Sequence, residues 1–272
     1  MLRPGGMGNV KVPQREDGGF WMDQAAWRLD GKVTLVTGAS SGLGARFARV
    51  LCDAGAHVVA TARRSERLDA LGHELGDRVT TVAGDVTDPR HREALVNQLS
   101  ATFGHLDVLV NNAGICDDGR LETQSLSEVV SVVDVNLISV IDLCRLCAPL
   151  LFKGDESTVI NVASIYGMVA SRSPMIGYNA SKGALVNLTR HLAAQWGPQG
   201  VRVNALAPGY FPSEMTDNLA DPQFAQEVAD RTLLGRTPDI SELDGPLLFL
   251  ASRASSYVTG HTLAVDAGWT AI

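Results

Sequence analysis

What this 272-residue sequence is short of narrows its function before anything it contains does. It has four cysteines, Cys52, Cys116, Cys144 and Cys147, too few for disulfide bonds to stand in for a hydrophobic core at this length. Cys144 and Cys147 make a CxxC, yet no second pair completes a metal site and the run around them, NLISVIDLCRLCAPLL, reads as an apolar helix. Both thiols are expected in the core, and no metal is expected. No stretch approaches the ~20 apolar residues of a membrane span, and the first residues lack the apolar segment of a secretory signal. A cytoplasmic protein with no membrane partner is the expectation. Positive charge is scarce too: 23 Lys and Arg against 30 Asp and Glu leave a net charge of -7, with no basic field to attract nucleic acid.

What is present suits a globular chain, 45% hydrophobic and 19% charged, long enough for one large core. Residues 1–28 stand apart. They hold Gly5, Gly6, Gly8, Gly18, Gly19, Pro4 and Pro13 with no apolar periodicity, the composition of a flexible extension. Trp21 and Trp27 within it are large enough to dock on the domain or on a neighbouring subunit. Residues 29–272 are expected to form a single folded domain.

From Lys32 onward, short apolar runs alternate with helix-sized segments. KVTLVTG leads into TGASSGLG at 37–44 and then a helical pattern to Ala54. Gly38 permits a tight turn, Gly42 lets the main chain approach a ligand and Gly44 allows close helix packing, so backbone N–H groups and a positive helix end meet where a phosphate can bind. The second run, HVVATARR from His57, ends where an acid would bind the adenosine ribose of NAD. Ala62, Arg63 and Arg64 stand there instead. No local carboxylate repels a 2′-phosphate and an arginine fork suits one, so NADP(H) is expected, with NAD(H) as the alternative. The third run, RVTTVAGDV, ends at Asp85 and Val86, and 87–103 reads as an amphipathic helix opened by Asp88 and Pro89. The fourth, LDVLVNNAG, breaks through Asn111 and Asn112 into glycine at its carboxyl end. Counting on to HTLAVDAG from His261 gives seven runs separated by helices. This predicts an α/β fold, a single Rossmann-type doubly wound domain whose seven-stranded parallel sheet has helices on both faces.

The reactive groups gather at 164–182. VINVAS at 159–164 is β-branched and apolar enough for a strand buried on both sides, which delivers Ser164 to its carboxyl end, where such sheets bind ligands. A helix from near Pro174 carries Tyr178 and Lys182, four apart and so on one face. A free phenol titrates near pH ~10. A neighbouring ammonium is expected to pull that value down, while Ser164 holds a carbonyl or alcohol oxygen in line with the phenol. Taken alone, this pair also describes a solvated helix face.

Together, TGASSGLG, Asp85, NNAG at 111–114, Asn136 in DVNL, Ser164, YNASK from Tyr178, Asn204, Pro208 with Gly209, and VTGHTLAVDAG resemble the short-chain dehydrogenase/reductase family over about residues 29–269. The resemblance implies Tyr178 as acid/base, Ser164 orienting the substrate oxygen, Lys182 on the nicotinamide ribose and lowering the tyrosine pKa, and Asn136 holding a water on a proton path. It implies cofactor contacts from Gly38, Ser40, Ser41, Gly42, Leu43 and Gly44, and from Arg63 and Arg64. Asp85 and Val86 fall beside the adenine; Asn112, Ala113, Gly114, Tyr178, Lys182, Pro208, Gly209, Phe211 and Ser213 complete the set. Reversible hydride transfer between NADP(H) and a small ketone or secondary alcohol follows, in a homotetramer for which the apolar helices at 128–151 and 174–196 can supply an interface.

PGYFPSEMT resembles the matching stretch of gluconate 5-dehydrogenases and related sugar-acid or polyol enzymes, while the rest suits 3-oxoacyl thioester reductases equally. An NAD(H)-preferring enzyme of the same kind, a noncatalytic dinucleotide sensor and a methyltransferase-like domain are the alternatives. Substrate walls are expected from 116–120, 165–175 and 210–232, with Arg120 and Arg172 as candidates to meet an acidic substrate. Gly245 and Pro246 are expected to interrupt the penultimate helix.

Overall fold

Strands that are apolar on both faces must be covered on both sides, and the computed structural model, which describes residues 24–272, is built that way. The strands are β1 Val33–Thr37, β2 His57–Ala62, β3 Val79–Ala83, β4 Val108–Asn111, β5 Thr158–Val162, β6 Arg202–Pro208 and β7 Thr262–Val265. They form one parallel sheet in the order β3-β2-β1-β4-β5-β6-β7. The helices are α1 Gly42–Asp53, α2 Ser65–Leu75, α3 Pro89–Thr102, α4 Leu126–Val133, α5 Ser139–Leu151, α6 Ile176–Trp196, α7 Pro222–Asp230 and α8 Asp244–Ala251.

The two-residue period of the strands sorts their side chains between two cores. Val36, Val58, Val110 and Ile160 pack against Phe47 and Leu51 of α1, Leu68 and Leu71 of α2, and Leu247 and Leu250 of α8. Leu35, Val59, Leu109 and Val159 pack against Leu95 and Leu99 of α3, Leu143 of α5 and Leu185 of α6. Cys144 and Cys147 are free thiols within this second core, and burial pushes Cys144 up to about 12. The chain leaves β3 on one flank and returns through β4 on the other side of β1, so the strand order reverses between β1 and β4. A crevice opens there, at the carboxyl ends.

Three boundaries differ from the sequence reading. The helix expected over 128–151 is two helices, α4 and α5, joined by a π-helical turn at Asp134–Ile138 that contains Asn136. α6 starts at Ile176, two residues after Pro174. Gly245 and Pro246 do not interrupt α8 but lie in its first turn, entered from the turn Ile240–Leu243, where a proline's missing N–H leaves no bond unmade. Asp244 beside them pairs with Arg46 of α1. Of the expected extension, the turn Gln24–Trp27 docks on the domain, with Trp27 and Phe249 ring centroids 6.2 Å apart. Trp21 and the rest of 1–23 lie outside the described residues. No helix among the described residues is long and apolar enough to cross a membrane.

Candidate active site

The crevice is founded on two loops pressed together. Gly38 has φ +68°, and a Cβ there would lie 2.9 Å from Ala113 Cα. At Gly44 a Cβ would sit 2.2 Å from the Gly38 carbonyl oxygen, so α1 meets the turn after β1 only because that position is bare. Thr37 Oγ1 accepts from the N–H groups of Asn112 and Ala113, both at 3.0 Å, and Asn112 Nδ2 donates to Thr37 O at 2.9 Å. Ser41, at the N-cap of α1, makes no side-chain cap, and no acid lies in the helix's first turn. An uncapped N-terminus behind a glycine turn fits a dinucleotide phosphate.

The resulting cleft, about 590 Å³, takes its wall from all six segments that the sequence singled out for the cofactor. Gly38 and 40–44, Arg63 and Arg64, Asp85 and Val86, Asn112 to Gly114, Tyr178, Lys182, and Pro208, Gly209, Phe211 and Ser213 all line it, as does Ser164. Asn136 alone stands behind the wall, where a Cβ on Gly114 would lie 3.3 Å from its Oδ1. Buried in the π-helical turn, Asn136 accepts from Ile115 N–H at 2.9 Å and donates to Ile115 O at 2.9 Å and Ser181 Oγ at 3.1 Å. Both amide hydrogens are committed within the protein, which leaves only the second lone pair of Oδ1 for a water. The π-helical turn thus ties the loop after β4 to α6.

Ser164 follows β5, accepts from the Tyr166 N–H at 3.1 Å and lines the same cleft as Tyr178. Lys182 is 4% exposed, with Nζ 5.5 Å from the centre of the Tyr178 ring and donating to Val162 O at 2.7 Å. The hydroxyl, phenol and ammonium therefore share one site. Their acidities differ from the sequence expectation. Burial pushes the Tyr178 phenol up to about 12, against a smaller lowering by the Ser164 hydroxyl, and burial pulls Lys182 down to about 8. The lysine's charge, spent on a main-chain carbonyl, does not lower the phenol in this state, because desolvation acts on both groups at once. Asp85 is held below the usual carboxylate range: burial opposes its charge, but the Thr87 N–H and hydroxyl, each 2.9 Å away, outweigh it.

Two acids escaped the sequence reading. Asp117, 8% exposed, accepts the N–H groups of Gly177 at 2.8 Å and Tyr178 at 2.9 Å, and Gln124 Nε2 at 2.9 Å. It caps the N-terminus of α6 from a loop some sixty residues earlier, as the 61-residue separation from Tyr178 shows. Glu214 is the second: the end of β2 supplies no carboxylate locally, yet the chain beyond β6 brings this one onto Arg64, with Glu214 Oε2 at 2.9 Å from Arg64 Nη2. The substrate walls were read in part. Cys116, Phe211, Met215 and Thr216 line the cleft, whereas Ile165 and Tyr166 pack inward with Val228 and Trp269. Arg120 pairs with Glu122 at 3.5 Å, and neither it nor Arg172 reaches the cleft wall.

Comparison with known proteins is consistent over nearly the whole described chain. The family described as enoyl-(acyl carrier protein) reductase matches residues 38–270. Gluconate 5-dehydrogenase of Gluconobacter oxydans (strain 621H) is 38% identical over 249 residues, covering 89% of this chain and 96% of that protein. A 3-oxoacyl-(acyl-carrier-protein) reductase of Vibrio cholerae is 35% identical over 240 residues, covering 88% and 98%. The crystal structure of a gluconate 5-dehydrogenase from Burkholderia cenocepacia J2315 in complex with NADP and tartrate superposes with a TM-score of 0.86 at 34% identity, covering 91% of this chain and 98% of that one.

Proposed function

The chain belongs to the short-chain dehydrogenase/reductase family of oxidoreductases, and from that premise we propose that it interconverts a small ketone and the corresponding secondary alcohol with NADP(H), sugar acids and polyols being the first substrate class to try. The observation that carries this is the convergence of Ser164, Tyr178 and Lys182 on one cleft whose opposite end is a glycine turn at a helix N-terminus. The cleft would hold a nicotinamide dinucleotide, whose chemistry would be to supply or accept the hydride at the substrate carbon. The turn 38–44 and the N–H groups at the start of α1 would hold its phosphates, Asp85 and Val86 its adenine side, and Arg63 and Arg64 its 2′-phosphate.

The protein's own part is positioning and proton transfer. Ser164 and Tyr178 hydroxyls donate to the carbonyl oxygen, where negative charge develops during reduction, and Tyr178 gives up the proton that oxygen needs. Lys182 is the nearby cation that stabilises the phenolate left behind. Asn136 holds the loop 114–115 against α6 so that these groups keep their spacing. The NADP in the Burkholderia cenocepacia complex and the arginines after β2 support the cofactor preference, and the gluconate 5-dehydrogenase relatives support the substrate class.

A screen of NADPH and NADH oxidation against keto sugar acids, ketoses and 3-oxoacyl thioesters tests the reading. Tyr178→Phe is expected to bind NADPH as the parent does and to lose turnover by at least ~10²-fold. Full turnover in that variant rules out the assigned proton donor; turnover only on 3-oxoacyl thioesters moves the substrate class to that of the Vibrio cholerae relative.

A further inference from the structure

The carboxylate held by Arg64 comes from the far side of the cleft. Glu214 opens the turn Glu214–Ala220 beyond β6, yet its Oε2 accepts from Ser41 Oγ at 2.9 Å and from Arg64 Nη2 at 2.9 Å. Its Oε1 accepts from Arg64 Nη1 at 3.1 Å and from Arg67. Arg64 also donates to Ser40 Oγ at 3.1 and 3.2 Å and to Ser41 Oγ at 2.6 Å. A guanidinium fork with a hydroxyl on a two-oxygen anion is phosphate-binding geometry. These hydrogen bonds hold the Glu214 carboxyl well below its ordinary value, at about 2, so it stays charged throughout the neutral range.

We propose that Glu214 is a specificity-determining residue for the cofactor: its carboxylate occupies the Arg64 and Ser41 fork, and a 2′-phosphate must displace it. The proposal rests on the cofactor preference given above. It adds that the anion site is filled from within the protein, so a 2′-phosphorylated cofactor detaches the start of the 214–220 turn, whereas one lacking that phosphate leaves the turn tethered. Met215 and Thr216 line the cleft directly after the tether. The identity of the nucleotide thereby sets the position of one wall of the substrate site. Both partners of the pair are about half exposed, 44% for Arg64 and 52% for Glu214, so the competition is modest and weakens with salt.

The test is calorimetric titration of 2′,5′-ADP and 5′-ADP into the full chain and its E214Q and R64A variants, with hydrogen exchange of 214–220 followed in parallel. E214Q is expected to bind 2′,5′-ADP at least about fivefold more tightly while 5′-ADP changes by less than about twofold. In the parent, exchange of the turn is expected to rise with 2′,5′-ADP and not with 5′-ADP; in E214Q it is fast before any ligand is added. If R64A selectively weakens 2′,5′-ADP but E214Q leaves both ligands unchanged, or tightens them equally, the Glu214 competition is overturned and the cofactor preference stands. If the parent binds the two ligands alike and R64A alters neither, the preference itself is wrong and the competition falls with it.

Discussion

Asp117→Asn isolates what the loop after β4 contributes to α6, the helix that carries Tyr178 and Lys182. The native carboxylate accepts three donors, two of them N–H groups in the first turn of α6, at Gly177 and Tyr178. An amide of the same shape keeps one acceptor oxygen and turns an NH2 toward the other donors. Gln124 Oε1, buried without a partner, can accept from that NH2 once its own amide turns over, so the net loss is one helix N–H and the charge at the helix end. An unmade buried bond of this kind costs about 1–3 kcal/mol and the charge about 0.3–1 kcal/mol. For a chain of this size that corresponds to a melting temperature lower by roughly 2–7 °C.

The acid dependence of this loss has a definite sign. Burial works against the Asp117 charge, but the bonds from Gln124, Tyr178 and Gly177 outweigh it and hold the carboxyl below its ordinary value. A depressed folded pKa stabilises above the unfolded value of ~3.9 and loses that contribution as pH falls through the folded one. The gap between parent and variant is therefore full at pH 7 and closes below about pH 4. Because Tyr178 is itself one of the capped residues, kcat is expected to fall by about tenfold with the affinity for NADPH unchanged. Differential scanning fluorimetry from pH 3 to 8 and steady-state kinetics read both. Equal melting temperatures at pH 7, or a gap that persists undiminished at pH 3, refute the capping argument.

Gly44→Ala puts a methyl group 2.2 Å from the Gly38 carbonyl oxygen, a contact that main chain cannot relieve by rotating a side chain. Loss of nucleotide binding together with at least ~2 kcal/mol of stability is expected from chemical denaturation and fluorescence titration, and a variant that binds as the parent does would falsify the assigned packing of α1 on the turn. Lys182→Met removes a buried ammonium whose pKa burial has pulled down to about 8. The unfolded chain binds more protons than the folded one between about pH 8 and 10.4, so parent stability rises with pH across that window. The variant is expected to lose that slope, to melt no lower than the parent at pH 7, and to lose most turnover; a melting temperature several degrees lower counts against a lysine kept for chemistry at a cost in stability.

The difference between what the sequence disclosed and what it hid follows contact distance along the chain. β1, β4 and β5 were legible because strands buried on both faces are rich in apolar and β-branched residues, and the turn 38–44 because its glycines mark a backbone path that other residues cannot take. Asp117 and Glu214 were not, because each acts on partners 61 and 150 residues away and nothing beside either one records the pairing. The Tyr178 acidity shows a different kind of blindness. A tyrosine and a lysine four apart advertise a charge next to a phenol, but the sign of the shift also depends on how much water each group loses, and that is set by α6 lying against β6 and the loop after β4. Lys182 in this state spends its hydrogen bond on Val162 O. A phenol at about 12 beside an ammonium at about 8 is a pair poised away from proton exchange at neutral pH, so the proposed reaction requires that filling the cleft change the surroundings of both. The phenol pKa in the presence of NADP+ and of 2′,5′-ADP, read from the ultraviolet difference between the parent and Tyr178→Phe, is the measurement on which that requirement turns: it must fall with the full cofactor and stay high with the fragment that lacks the nicotinamide.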